Sequence, residues 1–119
     1  MRFLFVLLLM AAPLAAEPFP KSGTYEGSAE YNGRLRVVVD GREAAIFLKA
    51  ANCVGFVEGH LARNPRGEVF LLSSGYKTDG CAVRLEVDGA FYMYLKPGPE
   101  CTSLHGAACG FGGYVERVR

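Results

Sequence analysis

The sequence predicts an all-β domain, specifically a small eight-stranded antiparallel up-and-down barrel with two disulfides. Turn signals such as Asn32-Gly33, Asp40-Gly41 and Asp88-Gly89 recur at short intervals along the chain. Short runs rich in Val, Leu, Phe and Tyr separate these turns, and no run carries the apolar stripe of a helix. A closed meander of such strands has no exposed sheet edge. A two-sheet β-sandwich is the alternative architecture.

The expected strands are residues 23–31, 33–39, 42–49, 53–63, 67–73, 81–87, 90–96 and 109–118. An Asp-Gly pair favours a two-residue hairpin turn, which places the flanking residues opposite each other. Around Asp40-Gly41, Val37 then faces Ala44, and Leu35 faces Ile46. Because opposite residues share a face of the sheet, this hairpin has one apolar side.

The second Asp-Gly hairpin gives a less consistent pattern. Around Asp88-Gly89 the same rule pairs Leu85 with Tyr92, and it leaves the apolar residues of the stripe 91–95 on the outer face. Two explanations stay open: a bulge shifts the strand, or the stripe is exposed and favours an interface.

The N-terminus has the parts of a secretory signal peptide at residues 1–16. Met1-Arg2 supplies a positive charge, an apolar run follows, and small residues precede a cut after Ala16. The apolar run is shorter than the roughly 20 residues of a membrane-spanning helix. Residues 17–22 form an N-terminal lead-in, and 23–119 form a single β domain. The mature protein is expected in the periplasm or outside the cell, with no membrane anchor.

Charge argues against a nucleic-acid partner. The chain has 13 Lys and Arg against 12 Asp and Glu, and removal of Arg2 with the signal peptide makes the two numbers equal. A nucleic-acid-binding domain usually carries a basic patch or a basic excess. We therefore expect no nucleic-acid binding.

Four cysteines, Cys53, Cys81, Cys101 and Cys109, predict two disulfides in a small exported domain. Three connectivities are possible, and we favour Cys53–Cys81 with Cys101–Cys109. In an up-and-down meander alternate turns fall at the same end, which places all four cysteines at one end. Loops on a rigid scaffold are frequent recognition sites, so this end, with the loops 50–53, 74–81 and 97–109, is the expected binding surface.

No pattern in the sequence predicts an enzyme or a cofactor. A Gly-x-Ser-x-Gly elbow, a paired-carboxylate site and a phosphate-binding loop are all missing. Cys101-x3-His105-x3-Cys109 contains metal-ligand types, but a closed zinc site needs four ligands, and disulfide formation would consume the thiols. No metal site is therefore predicted. A small-ligand or metal-binding barrel and a structural envelope protein are the alternatives to a binding protein.

The end of the chain, Cys101-x3-His105-Gly106-Ala107-x-Cys109-x-Phe111-x-Gly113, resembles a C-terminal signature of small exported bacterial β proteins. That family shares a Cys-x3-His-Gly-Ala-x-Cys-x-Phe-x-Gly ending on a β domain rich in Gly and Tyr. The resemblance implies a fold and an exported location, but it does not imply an activity.

A weaker similarity is to bacterial periplasmic lysozyme inhibitors, which are eight-stranded barrels of this size with a disulfide. Their inhibitory loop carries a Ser-Gly-x-x-Tyr-like motif that enters the lysozyme cleft. The nearest matches here are Ser22-Gly23-Thr24-Tyr25 and Ser74-Gly75-Tyr76-Lys77. The second match lies at the predicted cysteine-bearing end.

Together these features predict a protein partner in the cell envelope or outside the cell. The expected contact residues are Ser74, Gly75, Tyr76, Lys77 and His105, and the expected action is inhibition of a lysozyme-like cell-wall hydrolase.

Overall fold

The computed structural model describes residues 16–74, 80–106 and 109–119, and in it the chain forms a closed antiparallel barrel. Its strands are β1 (Gly23–Ala29), β2 (Gly33–Asp40), β3 (Glu43–Ala50), β4 (Cys53–Arg63), β5 (Val69–Ser73), β6 (Ala82–Asp88), β7 (Tyr92–Pro97) and β8 (Gly113–Arg117), with a 3-10 helix at Pro99–Leu104. Consecutive strands pair in order and β8 pairs with β1. The predicted up-and-down barrel is confirmed, and the sandwich alternative is wrong. No helix in the described part of the chain is long and apolar enough to span a membrane.

The barrel forms because apolar and polar side chains alternate along the strands. In β2, Leu35, Val37 and Val39 are buried, whereas the intervening Arg34 and Arg36 are exposed. A period of two places one set inside and the other in solvent. Closure then gives each strand two hydrogen-bonded neighbours.

Large side chains fill the interior. The fully buried residues of greatest volume are Tyr25, Phe111, Ile46, Leu61, Leu71, Leu85 and Met93. The hydroxyl of Tyr25 donates a hydrogen bond to the Lys21 carbonyl at 2.7 Å, which satisfies its polar atom. Burial raises the pKa of Tyr25 above its ordinary value and outweighs the lowering effects of Arg117 and the Lys21 carbonyl.

The β2–β3 hairpin has the predicted faces but a different register. Val37 lies opposite Ile46, and Asp40 lies opposite Glu43, so the turn residues are 41 and 42. The predicted pairing of Val37 with Ala44 is therefore wrong by two residues. A shift of two keeps every side chain on its original face, because faces alternate with a period of two.

The register of the β6–β7 hairpin differs from the predicted register by three residues, an odd number. Asp88 pairs with Tyr92 across a three-residue connection, so Leu85 lies opposite Leu95 rather than Tyr92. A shift of three reverses the faces of β7. Met93 and Leu95 therefore point inward and are buried. The structure divides the stripe 91–95, since Phe91 stays exposed in the connection.

The lead-in is packed against the barrel by backbone and aromatic contacts. The amide of Glu17 donates to the Gly67 carbonyl at 3.0 Å, and Arg63 Nε donates to the Glu17 carbonyl at 3.0 Å. The guanidinium groups of Arg42 and Arg63 each lie 4.0 Å from the centre of the Phe19 ring. Two cation–π contacts thus fix the aromatic residue of the lead-in.

An ion-pair network joins the lead-in to β6. Arg84 Nη2 lies 2.8 Å from Glu17 Oε2, 3.3 Å from Glu68 Oε2 and 3.5 Å from Glu86 Oε2. Asn64 Nδ2 donates a hydrogen bond to Glu68 Oε1 at 2.8 Å. This bond, with a smaller contribution from Arg84, lowers the pKa of Glu68 below its ordinary value of 4.5.

The lowered pKa of Glu68 predicts an acid-dependent loss of stability. The folded state favours the carboxylate, so its stabilising contribution is present above the ordinary pKa and is lost as the pH falls through the lowered value. We expect the wild type to lose more stability than Glu68→Gln between about pH 6 and pH 3 in urea unfolding. Glu58→Gln, at an exposed carboxylate with no ion pair among the described residues, is the control. Parallel profiles for the wild type and Glu68→Gln would contradict this expectation.

Candidate binding surface at the cysteine end

All four cysteines lie at one end of the barrel, as the strand count predicts. Cys53 begins β4 and Cys81 directly precedes β6, and both strands start at this end. Cys101 lies in the 3-10 helix after β7, and Cys109 precedes β8. We call this end, with the loops and the helix that cover it, the cysteine end.

The pairing of the cysteines differs from the favoured one. The disulfides are Cys53–Cys109 and Cys81–Cys101, so the expected pairs Cys53–Cys81 and Cys101–Cys109 are wrong. The reason is strand order. β6 and β7 are neighbours, so the helix after β7 places Cys101 beside the start of β6, with 4.6 Å between the Cα atoms of Cys81 and Cys101.

The other disulfide holds a segment that covers the end of the barrel. β4 and β8 lie on opposite sides of an eight-stranded ring, so the chain between the helix and β8 passes across the end to reach Cys53. His105 forms an isolated antiparallel bridge with Gly55, and the Gly106 amide donates to the Val54 carbonyl at 3.3 Å. Phe111 is fully buried beneath this segment.

Glycine at position 55 makes this crossing sterically possible. A Cβ at Gly55 would lie 2.6 Å from the His105 Cβ and 3.0 Å from the Phe111 Cζ. Backbone approach of this kind is a common reason for a glycine within a strand. A larger residue at position 55 of β4 would therefore displace His105 and Phe111.

His105 is held in place rather than free in solvent. It is half-buried, and its ring packs edge-to-face on Phe111 with 5.1 Å between the ring centres. Its Nδ1 lies 2.6 Å from the Gly106 carbonyl oxygen, which favours a proton on Nδ1. This leaves Nε2 as the ring atom available to a partner.

A crevice of about 500 Å³ opens beside this histidine. Its walls come from the β1–β2 turn, the connection after β7 and the segment that crosses the end of the barrel between the helix and β8, which we call the crossing segment. Glu30, Tyr31, Pro97 and Thr102 line it together with His105, and both disulfides contribute a cysteine. The crevice is a concave feature of the cysteine end.

Tyr31 is the most exposed large apolar residue in the described part of the chain, at 70%. It has a backbone φ of 60°, as does Asn32. This left-handed region suits Asn but is strained for Tyr, at a cost of about 1 kcal/mol. Strained, exposed residues are concentrated at functional sites. The sequence identifies the turn here but places it one residue later, at Asn32-Gly33, and so does not single out Tyr31.

The predicted contact residues are only partly described. Ser74 is exposed at the end of β5, and its amide donates to the Glu58 carbonyl at 3.0 Å. Gly75, Tyr76 and Lys77 lie outside the described residues. The neighbouring Ser73 amide donates to the Cys81 carbonyl at 3.1 Å, so the two ends of the 74–80 loop are hydrogen-bonded to each other. Ser74 lines a crevice on the outer wall with Asp40, Glu43 and Glu58, whereas His105 lines the crevice beside Tyr31, so the structure does not bring these two predicted residues together.

The candidate metal motif has no free thiol. Cys101 and Cys109 each form a disulfide with a different partner. Across residues 16–74, 80–106 and 109–119, the structure brings together no group of three or more His, Cys, Asp or Glu suited to a metal ion.

No family model, curated protein or solved structure matches this chain. The resemblance to periplasmic lysozyme inhibitors therefore stays a prediction. The functional proposal depends on the geometry of the cysteine end.

The two disulfides are expected to contribute unequally to stability. Cys53–Cys109 spans 56 residues and Cys81–Cys101 spans 20. Since a longer loop restricts the unfolded chain more, removing the first bridge with paired Ala substitutions should cost about 4 kcal/mol and removing the second about 3 kcal/mol. Guanidinium unfolding of the two double variants measures the difference. The reverse order would show that loop length does not determine their contributions.

Tyr31→Gly should increase the stability of the fold. Glycine adopts a φ of 60° without strain, so the free energy of unfolding should rise by about 1 kcal/mol. Tyr31→Ala removes the same exposed ring but keeps the strained backbone, and it should stay near the wild type. Thermal unfolding compares the three proteins, and equal stability of the Gly and Ala variants would contradict the assignment of strain.

Proposed function

We propose that this protein is a non-enzymatic exported binding protein that recognises a protein partner with its cysteine end. Its two disulfides indicate an oxidising location outside the cytoplasm. Within that setting we propose the periplasm or the extracellular medium, as the expected signal peptide implies.

The observation that carries the proposal is the strained and exposed Tyr31 beside the crevice. Tyr is enriched at binding hot spots because it offers a large contact area with few rotatable bonds. Its backbone is fixed by the β1–β2 turn, in which the Gly33 amide donates to the Glu30 carbonyl at 3.3 Å. The aromatic ring is therefore presented on a rigid support, which lowers the entropic cost of binding.

The interior of the barrel supports surface recognition over carriage of a small ligand. Met93 and Leu95 are buried and point inward, and they pack with Tyr25 and Phe111. The described cavities lie on the outer wall and at the cysteine end. A large partner can reach these surfaces.

The specific form of the proposal is inhibition of a lysozyme-like cell-wall hydrolase. Such an enzyme carries two carboxyl groups that flank its scissile bond. Lys77 supplies a cation that pairs with a carboxylate. The unprotonated Nε2 of His105 is an acceptor, which suits the protonated carboxyl group of the general acid. In this proposal Ser74, Gly75 and Tyr76 enter the cleft with Lys77, and His105 contacts its edge.

Titration against lysozymes of several structural types tests the inhibition. We expect the wild type to slow cell-wall lysis by at least one enzyme, and Tyr76→Ala with Lys77→Ala to weaken inhibition at least roughly tenfold. Arg66→Ala is the matched control, because Arg66 is exposed in the β4–β5 turn at the opposite end. Unchanged lysis with every enzyme would exclude inhibition of the enzymes tested.

Binding by the cysteine end is tested separately from inhibition. Recovery of envelope proteins on immobilised wild type is compared with recovery on Tyr31→Ala and on Arg66→Ala. We expect a specific partner to be lost with Tyr31→Ala alone. Equal recovery of every partner by all three proteins would contradict the proposed surface.

A further inference from the structure

The outer wall of β2, β3 and β4 separates its charges along the strands. Three exposed cations lie in its half nearer the cysteine end, and three exposed carboxylates lie in its other half. The cations are Arg34, Arg36 and Lys49, and the carboxylates are Asp40, Glu43 and Glu58. The wall is therefore strongly dipolar while its total charge is balanced.

Like charges lie directly opposite each other at two places in this wall. Arg34 is opposite Lys49, and Asp40 is opposite Glu43. Such cross-strand pairs destabilise a sheet. Among the described residues no ion pair compensates any of these four side chains, and Arg36 pairs with Glu26 at 3.3 Å. A ligand that carries the opposite charges would compensate both pairs.

The centre of the wall is apolar. Phe47 and Phe56 lie opposite each other, their ring centres are 5.0 Å apart, and each is 43% exposed. Val38 and Ala45 form the next cross-strand pair and are half-buried. An apolar centre with a polar and charged periphery is the usual composition of a protein interface.

We propose that this wall binds the same wall of a second copy of the chain, with the two copies antiparallel. The two-fold axis lies in the plane between the two walls, perpendicular to the strands, and crosses β3 between Ala45 and Phe47. Such an interface must be self-complementary, since each contact occurs twice.

The register of the strands shows the charge complementarity. A rotation by 180° about this axis places the Lys49 row over the Glu43 row, because both lie on β3 at equal distances from the axis. The same rotation turns each strand onto its own copy and places Arg34 over Asp40 on β2. Each dimer then has four opposite-charge contacts.

The apolar centre is self-complementary under the same rotation. Phe47 of each copy falls over Ala45 of the other. In these two contacts a large ring meets a smaller side chain, which allows the two surfaces to interdigitate. The flanking contacts are Arg36 over Val38 and Phe56 over Glu58.

The charge pattern selects a second copy over other partners. A polyanion would meet the carboxylates of one half, and a polycation would meet the cations of the other half. A partner that presents both signs of charge in the opposite order along the strands matches this wall. The rotated wall of a second copy is such a partner. Because the outer wall of a barrel is convex, the contact lies at or below about 1,200 Å² of total buried area, which predicts a weak dimer, roughly micromolar or weaker.

A charge-reversal experiment tests this dimer directly. Sedimentation over a concentration series to about 1 mM should show wild-type dimers. In the Lys49→Glu variant two carboxylates meet at both symmetry-related contacts, and in the Glu43→Lys variant two ammonium groups meet there. Each variant alone should therefore dimerise roughly tenfold more weakly than the wild type. An equal mixture of the two variants should recover dimers, because every reversed side chain then faces its opposite charge.

Arg66→Glu alone controls for net charge. It makes the same charge change as Lys49→Glu but lies outside the wall, so it should dimerise as the wild type does. Recovery in the mixture also shows that both variants are folded. A wild type that stays monomeric, an Arg66→Glu variant weakened as much as Lys49→Glu, or a mixture that recovers no more dimer than either variant alone would overturn the proposal. These outcomes do not depend on whether the cysteine end binds a hydrolase.

Discussion

Closure of the barrel between β1 and β8 is the constraint on which the rest of the structure depends. It requires a close backbone approach between these strands at Gly27, where a Cβ would collide with the Tyr114 carbonyl oxygen. With the ring closed, an even number of antiparallel strands returns every second connection to the same end. The disulfides, the crossing segment and Tyr31 are all gathered at the cysteine end for this reason.

The cysteine end combines rigidity with a local departure from regular geometry. Cys53–Cys109 fixes a segment over the barrel, while the β1–β2 turn holds Tyr31 in a conformation that its side chain disfavours. The covalent cross-links and the filled interior supply the stability that offsets such strain. A small domain of this size has a free energy of unfolding of only several kcal/mol, so the strain is a noticeable fraction of it.

The sequence predicted the class, the strand number and the apolar faces of β2 and β3 because these depend on local patterns. Register was harder, and the two hairpins show why. The β2–β3 prediction was shifted by two residues, which left Val37 inside, whereas the three-residue shift at β6–β7 exchanged the faces of Met93 and Tyr92. A turn dipeptide restricts the turn, but the packing of the whole strand decides its register. The disulfide pairing and the position of Tyr31 also depend on tertiary structure, and local spacing did not reveal them.

The start of β1 and the C-terminal residues lie together, opposite the cysteine end. The Thr24 amide donates to the Arg119 carbonyl at 3.0 Å, and the Val118 amide donates to the Thr24 carbonyl at 2.8 Å. A linker or surface attachment joined to the C-terminus therefore leaves from the far side of the molecule. Immobilised in this way, the protein would present its disulfide-bonded loops to the solution, and a short peptide joining Arg119 to the start of β1 would yield circular permutants with little disturbance of the sheet.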